Sequence, residues 1–344
     1  MQQKQFSAAV RARRRWLVTA LVFVVLAILL IPIAVIGVVV APGPLKEAKT
    51  VIVSRGAHAA SIAKSLADQS AVHHPLLFRL AARMIAYGSL KAGEYQIDPG
   101  MSAANIVLMM HEGRSIMRRL TIPEGLTSAN IASLIQNAPA MTGTIDAASL
   151  AEGSLMPETY RYTYGDARAD VVARMREDMK AMVAELWPKR DAGLPLNSPE
   201  EAVVMASIIE KETGKGSERP RIAGVFYNRL RARMRLQSDP TVIYAIWQAK
   251  GGAIDLSLSH EDMSFPSPYN TYVSDGLPPR PICNPGRASL EAALHPERNN
   301  FYYFVADGTG GHVFSYNLSE HNRNVAAQFR PKRNPLYPIG TSKQ

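Results

Sequence analysis

Cysteine is almost missing from this 344-residue chain. Cys283 stands alone, so no intrachain disulfide can form, and metal frameworks that need several thiolates are excluded. A single thiol of this kind is expected to be a buried structural residue. Phosphate-binding glycine motifs are missing as well. Gly214-Lys215-Gly216-Ser217 lacks the upstream glycine and the Lys-Ser/Thr order of a P-loop, and Gly308 to Gly311 lacks the third glycine of a dinucleotide fingerprint. Both read as turns. No H-E-x-x-H pattern organises the eight histidines, and His295, His312 and His321 fall in different elements. Neither a metal nor a cofactor is therefore expected. No internal repeat or low-complexity tract occurs, and 47% hydrophobic against 20% charged residues describe a chain that folds around a core.

What the chain does have begins with an apolar run free of charge, Leu17 to Ala41. Its length exceeds the roughly 20 residues needed to span a bilayer. Arg11, Arg13, Arg14 and Arg15 precede it, with Lys4 further upstream, which predicts a cytoplasmic tail over 1–16 and a transmembrane helix over 17–41. A cleaved signal peptide is the alternative. The run is longer than an h-region of roughly 7–15 residues and shows no clear Ala-x-Ala exit. Everything beyond residue 41 is then expected outside the cytoplasm. The net charge of +10 invites a nucleic-acid reading, but half of the excess lies in the N-terminal cluster and an exported domain does not meet the chromosome. No nucleic-acid partner is expected.

The fold class expected from the rest is α+β. After the Pro/Gly linker Pro42 to Lys49, strands are predicted at Thr50–Val53 and Gly93–Ile97. Helices are predicted over Ala60–Ala67 and Pro75–Ile85, with a third capped by Ser102. The strand, glycine turn and Ile-Ala-x-x-Leu helix resemble a LysM module, a small carbohydrate-binding fold, across residues 46–115. The same segment also reads as a plain α/β spacer. A strand at Ile116–Ile122 follows, broken by Pro123-Glu124-Gly125, then a helix over Ala129–Gln136 capped by Thr127 or Ser128. Residues 152–160 look looser. Helices are expected at about 168–187 and 198–213, then over Glu218–Met234, and a β-hairpin at Phe301–Ser315.

The chemistry-bearing candidates are carboxylates. On a helical wheel for Glu201–Thr213, Ala202, Met205, Ala206, Ile209 and Thr213 share one buried face, with Glu210 and Glu212 on its two shoulders. A carboxyl beside an apolar face can hold its proton near neutral pH, as a general acid must. Acids at a helix end are also ordinary surface charges, and the wheel leaves Glu210 and Glu212 tied.

The residues here match a known family. Ala206-Ser-Ile-Ile-Glu-Lys-Glu-Thr213, Val225–Leu230, Met234–Tyr244, Tyr269-Asn270-Thr271-Tyr272, Gly276–Pro279, Asn284-Pro285-Gly286 and Phe304–Gly308 with Gly311-His312 resemble the YceG-like endolytic murein transglycosylases. Pro123-Glu124-Gly125, Glu152-Gly153 and Pro157–Tyr160 fit as well. Ser154, Met156 and Arg280 depart from the pattern in loops. The resemblance implies a mixed α/β catalytic domain over 116–335, followed by a C-terminal tail, 336–344. It implies cleavage of the β-1,4 bond between N-acetylmuramic acid and N-acetylglucosamine, leaving a 1,6-anhydro end. The attacking group is then the sugar's own 6-hydroxyl, so one carboxyl can donate a proton and afterwards accept one, where hydrolases divide the work between two. The resemblance assigns that role to Glu210. Glu212, Asn228, Gln237, Asp239, Tyr269 and Asn270 are expected to line the groove or hold Glu210 in place. The implied partners are peptidoglycan glycan strands, the inner membrane and wall synthases, with the catalytic domain periplasmic. A non-catalytic wall-binding scaffold and a conventional hydrolase are the rival readings.

Overall fold

The computed structural model describes residues 2–251 and 258–328, with side chains from residue 16 onward. The expected tail at 336–344 lies outside the described residues, as do the side chains of Lys4 and the N-terminal arginines. The chain divides into two compact units. One comprises Met1–Arg118, Ala140–Thr142 and Arg161–Asp166, the other Arg119–Pro139, Gly143–Tyr160 and Ala167–Gln344.

The first unit opens with helix α1, Gln2–Val40. Its apolar part, Trp16–Val40, is 25 residues long, enough at about 1.5 Å per residue to cross a hydrocarbon layer of about 30 Å. Side chains along it are exposed, apart from its last turns, where Val39 is buried and Val35 packs against the unit's core. Strand β1 (Lys49–Val53), helix α2 (Ala59–Asp68), helix α3 (Pro75–Ile85) and strand β2 (Gly93–Ile97) follow. β1 and β2 pair antiparallel, with Lys49 opposite Ile97 and Val53 opposite Gly93. α2 buries Ile62, Ala63 and Leu66, and α3 buries Phe78, Ala81 and Ala82, each set with members three and four residues apart on one apolar stripe. Helix α4 (Ala103–Glu112) starts where the Ser102 hydroxyl accepts the Asn105 amide, and ends at Gly113 in a left-handed conformation.

Strand β3 (Arg118–Thr121) pairs with β4 (Thr159–Tyr162). The looser stretch expected at 152–160 thus ends in a short strand. In the second unit helix α5 (Ser128–Asn137) is capped by Thr127, whose hydroxyl accepts the Asn130 amide. Helices α6 (Arg168–Leu186), α7 (Pro199–Glu212) and α8 (Arg219–Arg231) come close to the expected limits. Helices α9 (Asp239–Lys250) and α10 (Arg287–Leu294) were not expected. Strands β5 (Tyr303–Ala306) and β6 (His312–Ser315) form the expected hairpin, followed by helix α11 (Leu318–Gln328).

Helix α7 is the spine of this unit. Ser198 caps it by accepting the Glu201 amide, and Pro199 occupies the first turn, where a missing N–H costs nothing. Every residue from Ala202 to Ile209 is buried, which is why a single-face wheel could not rank its neighbours. Ile222, Phe226, Tyr227, Leu290 and Leu294 share its core. The Tyr227 hydroxyl donates to the Ala293 carbonyl at 2.6 Å, so this large buried ring leaves no polar atom stranded.

Candidate active site

Glu210 emerges where the buried part of α7 ends. Thr213 then adopts an extended backbone and a short turn over Gly216–Glu218 reverses the chain into α8. That reversal brings Arg219 back onto the end of α7. Its Nη2 donates to Glu210 Oε1 at 3.2 Å, and the Gly286 amide donates to Oε2 at 3.0 Å. Gly286 is the N-cap residue of α10, so the carboxylate also faces the positive end of that helix. The Glu210 side chain is only 6% exposed.

Two further segments close around it. The Pro123-Glu124-Gly125 turn is zipped to Asn284, with Gly125 N donating to Asn284 O at 3.0 Å and Asn284 N to Leu126 O at 2.9 Å. Gly125 has φ +75°, and a Cβ there would touch the Glu210 Cγ. Lys211 Nζ reaches the Gly125 carbonyl at 3.4 Å. Glu124 approaches Arg219 Nη2 at 3.7 Å. Arg219 Nε is buried without a hydrogen-bond partner among the described residues.

Asn284, fully buried, is the hub beneath the turn. Its Oδ1 accepts the Leu155 amide at 2.9 Å, and its Nδ2 donates to Leu126 O at 3.1 Å, Ser128 Oγ at 3.0 Å and Glu152 Oε2 at 3.4 Å. Glu152 also accepts the amide and hydroxyl of Ser128 in the first turn of α5. Burial nevertheless pushes its pKa up to about 7, because the Ser128 bonds offset only part of the desolvation.

Glu212 points elsewhere. The residue is part-exposed, but its carboxyl is withdrawn from water, and Ser238 Oγ donates to it at 2.5 Å. Burial pushes its pKa up to about 7; Asp239 adds to the rise, while Ser238 and Arg229 oppose it. Ser238 belongs to a seam between the Gln-Ser-Asp-Pro and Tyr-Asn-Thr-Tyr segments. Gln237 N donates to Thr271 O at 3.1 Å, Ser238 N to Thr271 Oγ1 at 3.0 Å, and Tyr272 Oη to Asp239 Oδ1 at 2.6 Å. Gln237 sits at φ 50°, an uncommon conformation for a residue with a side chain, and Arg229 Nη1 holds its Oε1 at 3.3 Å.

None of the other sequence candidates has a hydrogen bond to Glu210 among the described residues. Asn228 donates to Asn299 and Phe301, fastening α8 to the approach to β5. Asn270, fully buried, donates to Met263 O and Phe265 O. Tyr269 is buried with its ring 5.0 Å from that of Tyr244. Gln237 and Asp239 are exposed. The hydrogen bonds to Glu210 come from Arg219 and Gly286, neither of which was singled out for a role in the sequence. Glu218 pairs with His312 Nδ1 at 2.8 Å and Lys215 Nζ at 3.0 Å. Burial alone would raise its pKa, but bonds from His312 and Lys215 outweigh that and lower it. Cys283 is buried and its thiol faces Ser207 O at 3.3 Å; burial raises its pKa far out of the reactive range. Among the described residues no group of three or more His, Cys, Asp or Glu could hold a metal ion.

The model of the YceG-like family matches residues 51–327, and the chain belongs to that family. It is 29% identical over 312 residues to the endolytic murein transglycosylase of Bacillus subtilis (strain 168), covering 81% of this chain and 85% of that protein. It is 30% identical over 335 residues to the endolytic murein transglycosylase of Streptococcus pneumoniae serotype 2 (strain D39 / NCTC 7466), covering 84% of this chain but 60% of that longer protein. A crystal structure of a YceG-like protein from Listeria monocytogenes shares 33% identity over 81% of this chain and 99% of its own, with a TM-score of 0.49.

Proposed function

We propose that this protein is a membrane-anchored endolytic lytic transglycosylase that cuts nascent peptidoglycan. The bond is the β-1,4 link from N-acetylmuramic acid to N-acetylglucosamine, and the product carries a 1,6-anhydro end. The observation that carries the reading is the Glu210 carboxylate, set at the meeting point of the Glu-Lys-Glu-Thr, Pro-Glu-Gly and Asn-Pro-Gly motifs with a cation and a helix N-terminus on it. The names of the relatives at about 30% identity support the substrate class.

Intramolecular attack by the 6-hydroxyl needs no water, so the site must position a carboxylate and admit one sugar ring. In this reading α1 is a single-pass inner-membrane anchor with its N-terminus cytoplasmic, and 116–335 is the periplasmic catalytic domain. The short linker after α1 keeps that domain near newly made strands, which ends their elongation close to the synthases. The strand–helix–helix–strand order of β1, α2, α3 and β2, with its antiparallel pair, supports a LysM-like unit over 46–115. That unit alone would suit the rival reading, a scaffold that binds glycan without cutting it.

One experiment separates these. Glycan strands are incubated with wild type and Glu210→Gln, and the ends are read by mass spectrometry. Anhydro ends from wild type that vanish in the folded variant support the proposal. Reducing ends mean hydrolysis, glycan capture without cleavage means a scaffold, and wild-type activity in E210Q removes Glu210 from the mechanism.

A further inference from the structure

Helix α3 is apolar on two opposite faces. Phe78, Ala81 and Ala82 are buried in the first unit, while Leu76, Leu80, Met84 and Tyr87 stand 71%, 41%, 63% and 91% exposed. At 100° per residue these four share an outer stripe about 80° wide. The polar side chains of Pro75–Ile85 are Arg79 and Arg83 alone. Both are exposed on the outer side, with no ion-pair partner among the described residues. The exposed side of α2 carries Ser61, Lys64 and Asp68 instead, as a helix facing water should. A groove of about 780 Å³ runs between the α3 stripe and the start of α2. His58, Leu76, Arg79, Leu80, Arg83 and Tyr87 line it, and its wall holds no acidic residue. Tyr87 follows the helix in the left-handed conformation where glycine is usual, which sets an aromatic ring where packing asks for none. A contiguous apolar patch of this kind marks a contact surface.

The place of α3 beside α1 says what covers the stripe. Val38 and Val39 of α1 line one small crevice with His74 and Leu77, at the start of α3. Val35 and Val39 pack on the core that Leu77 borders. Val35 precedes the last residue of the apolar span, Val40, by five positions, about 7 Å along the helix axis. With α1 as a membrane anchor, the first unit therefore begins at headgroup depth, and α3 starts there. Its composition suits that depth. Leucine, methionine and a tyrosine ring, interleaved with arginine and free of acid, is the pattern of a helix lying in a membrane interface. Arginine stems run along apolar surface while their heads reach the phosphates.

We propose that the outer face of α3 docks on the anionic lipid surface of the membrane in which α1 is anchored. The proposal rests on the anchor part of the reading above and not on the cleavage chemistry. Leu76, Leu80, Met84 and Tyr87 enter the interface, and Arg79 and Arg83 meet lipid phosphates. No carboxylate in the groove wall opposes that pairing. A single spanning helix leaves the unit free to turn about its axis. A second contact beside it removes that freedom and holds the first unit against the leaflet. Salt screens the arginine part of the contact and leaves the apolar part in place.

The test follows how wet the stripe is. Full-length protein is reconstituted into vesicles of phosphatidylcholine, with or without phosphatidylglycerol. A nitrobenzoxadiazole probe is attached at Leu80→Cys or, as a control on the charged side of α2, at Lys64→Cys. Cys283 is buried and stays unlabelled. With phosphatidylglycerol present, the probe at 80 is expected to shift to the blue and to be quenched by doxyl lipid, while the probe at 64 stays in water. An arginine near an anionic surface is worth about five-fold in binding, so Arg79→Gln with Arg83→Gln should cut the ratio of docked to free unit about 25-fold. Both side chains are exposed, so this variant should keep the wild-type unfolding midpoint. Leu76→Ser should weaken the quenching as well, at low and high salt alike. Equal wetness at 80 and 64 in anionic vesicles overturns the docking and leaves the anchor standing. Shielding at 80 that needs added glycan strands, or that grows with protein density at fixed lipid composition, overturns it too, giving the face to glycan or to a second copy. Protein that salt strips from the vesicles overturns anchor and docking together.

Discussion

Glu210 and Arg219 meet at 3.2 Å although nine residues and a break in the helix separate them. The pair is enclosed, with side chains 6% and 13% exposed. Breaking a buried pair by deleting one partner strands the other charge, at a cost of roughly 3–5 kcal/mol. Arg219→Ala should therefore lower the urea midpoint and abolish formation of anhydro ends. Arg219→Lys keeps the charge but not the planar guanidinium whose Nη2 faces both Glu210 and Glu124, so it should restore much of the stability and little of the turnover. Urea unfolding beside end-group mass spectrometry checks this. An R219A protein with unchanged midpoint and rate contradicts it.

The two buried carboxyls make the stability of the fold depend on pH. Glu212 and Glu152 are each raised from 4.5 to about 7, with burial the main cause. A carboxyl with a raised folded pKa binds more protons in the native state than in the unfolded one between these values. Its stabilising contribution is full below about pH 4.5 and is lost as pH rises through 7. Each shift corresponds to about 3 kcal/mol. Glu212→Gln, which mimics the neutral acid, should be more stable than wild type at pH 8, with the gap closing towards pH 5. Chemical unfolding across that range reads the difference, and parallel curves for the two proteins would remove Glu212 as its source.

How far the sequence alone reaches depends on whether a signal is local. α3 and β2 have the expected limits because their apolar spacing and flanking turns are complete within the segment. α9 was hidden by its own start, since Ser238-Asp239-Pro240 reads equally as a turn and as an N-cap with proline in the first turn. α10 is only eight residues and follows Pro-Gly. At the site, the apolar stretch ending at Glu210 and Glu212 could be read, but the two were tied. Packing separates them: one carboxyl meets Arg219 and Gly286, the other Ser238. Arg219, Gly286 and Asn284 act across sequence separations of 9, 76 and 129 residues, where no periodicity reports a contact.

Asn284 supports the site from below, and its loss should be felt at both levels. Asn284→Ala removes the acceptor of the buried Leu155 amide and the donor to Ser128 and Glu152. Each buried group left unpaired costs about 1–3 kcal/mol. A total near 3 kcal/mol corresponds to a melting-temperature drop of roughly 6–12 °C for a unit of this size. Because the Asn284 side chain also donates to Leu126 O beside the Glu124 turn, and Gly286 follows two residues on, turnover should fall further than stability explains. Calorimetry and strand cleavage at a temperature where the variant is fully folded separate the two effects. Full activity there would confine Asn284 to stability alone.

The end of α1 should matter to folding, and the rest of it only to anchoring. From Trp16 the helix is exposed, but Val39 is 8% exposed and Val35 packs on the same apolar cluster as Leu77 and Ala103. After it, Gly43 N donates to Gly100 O and Gly100 N to Leu45 O, which ties the linker to the first unit. A chain lacking residues 1–34 should be soluble without detergent, keep the packed turn and cut strands in solution. A chain lacking 1–41 should be soluble too, but less stable by about 1.5–3 kcal/mol, the burial of a valine-sized side chain. Full-length protein should sediment with membranes and resist extraction by salt. Sedimentation and urea midpoints of the three proteins measure this directly. Equal midpoints for the two truncations would mean that Val35 and Val39 add nothing to the core they touch.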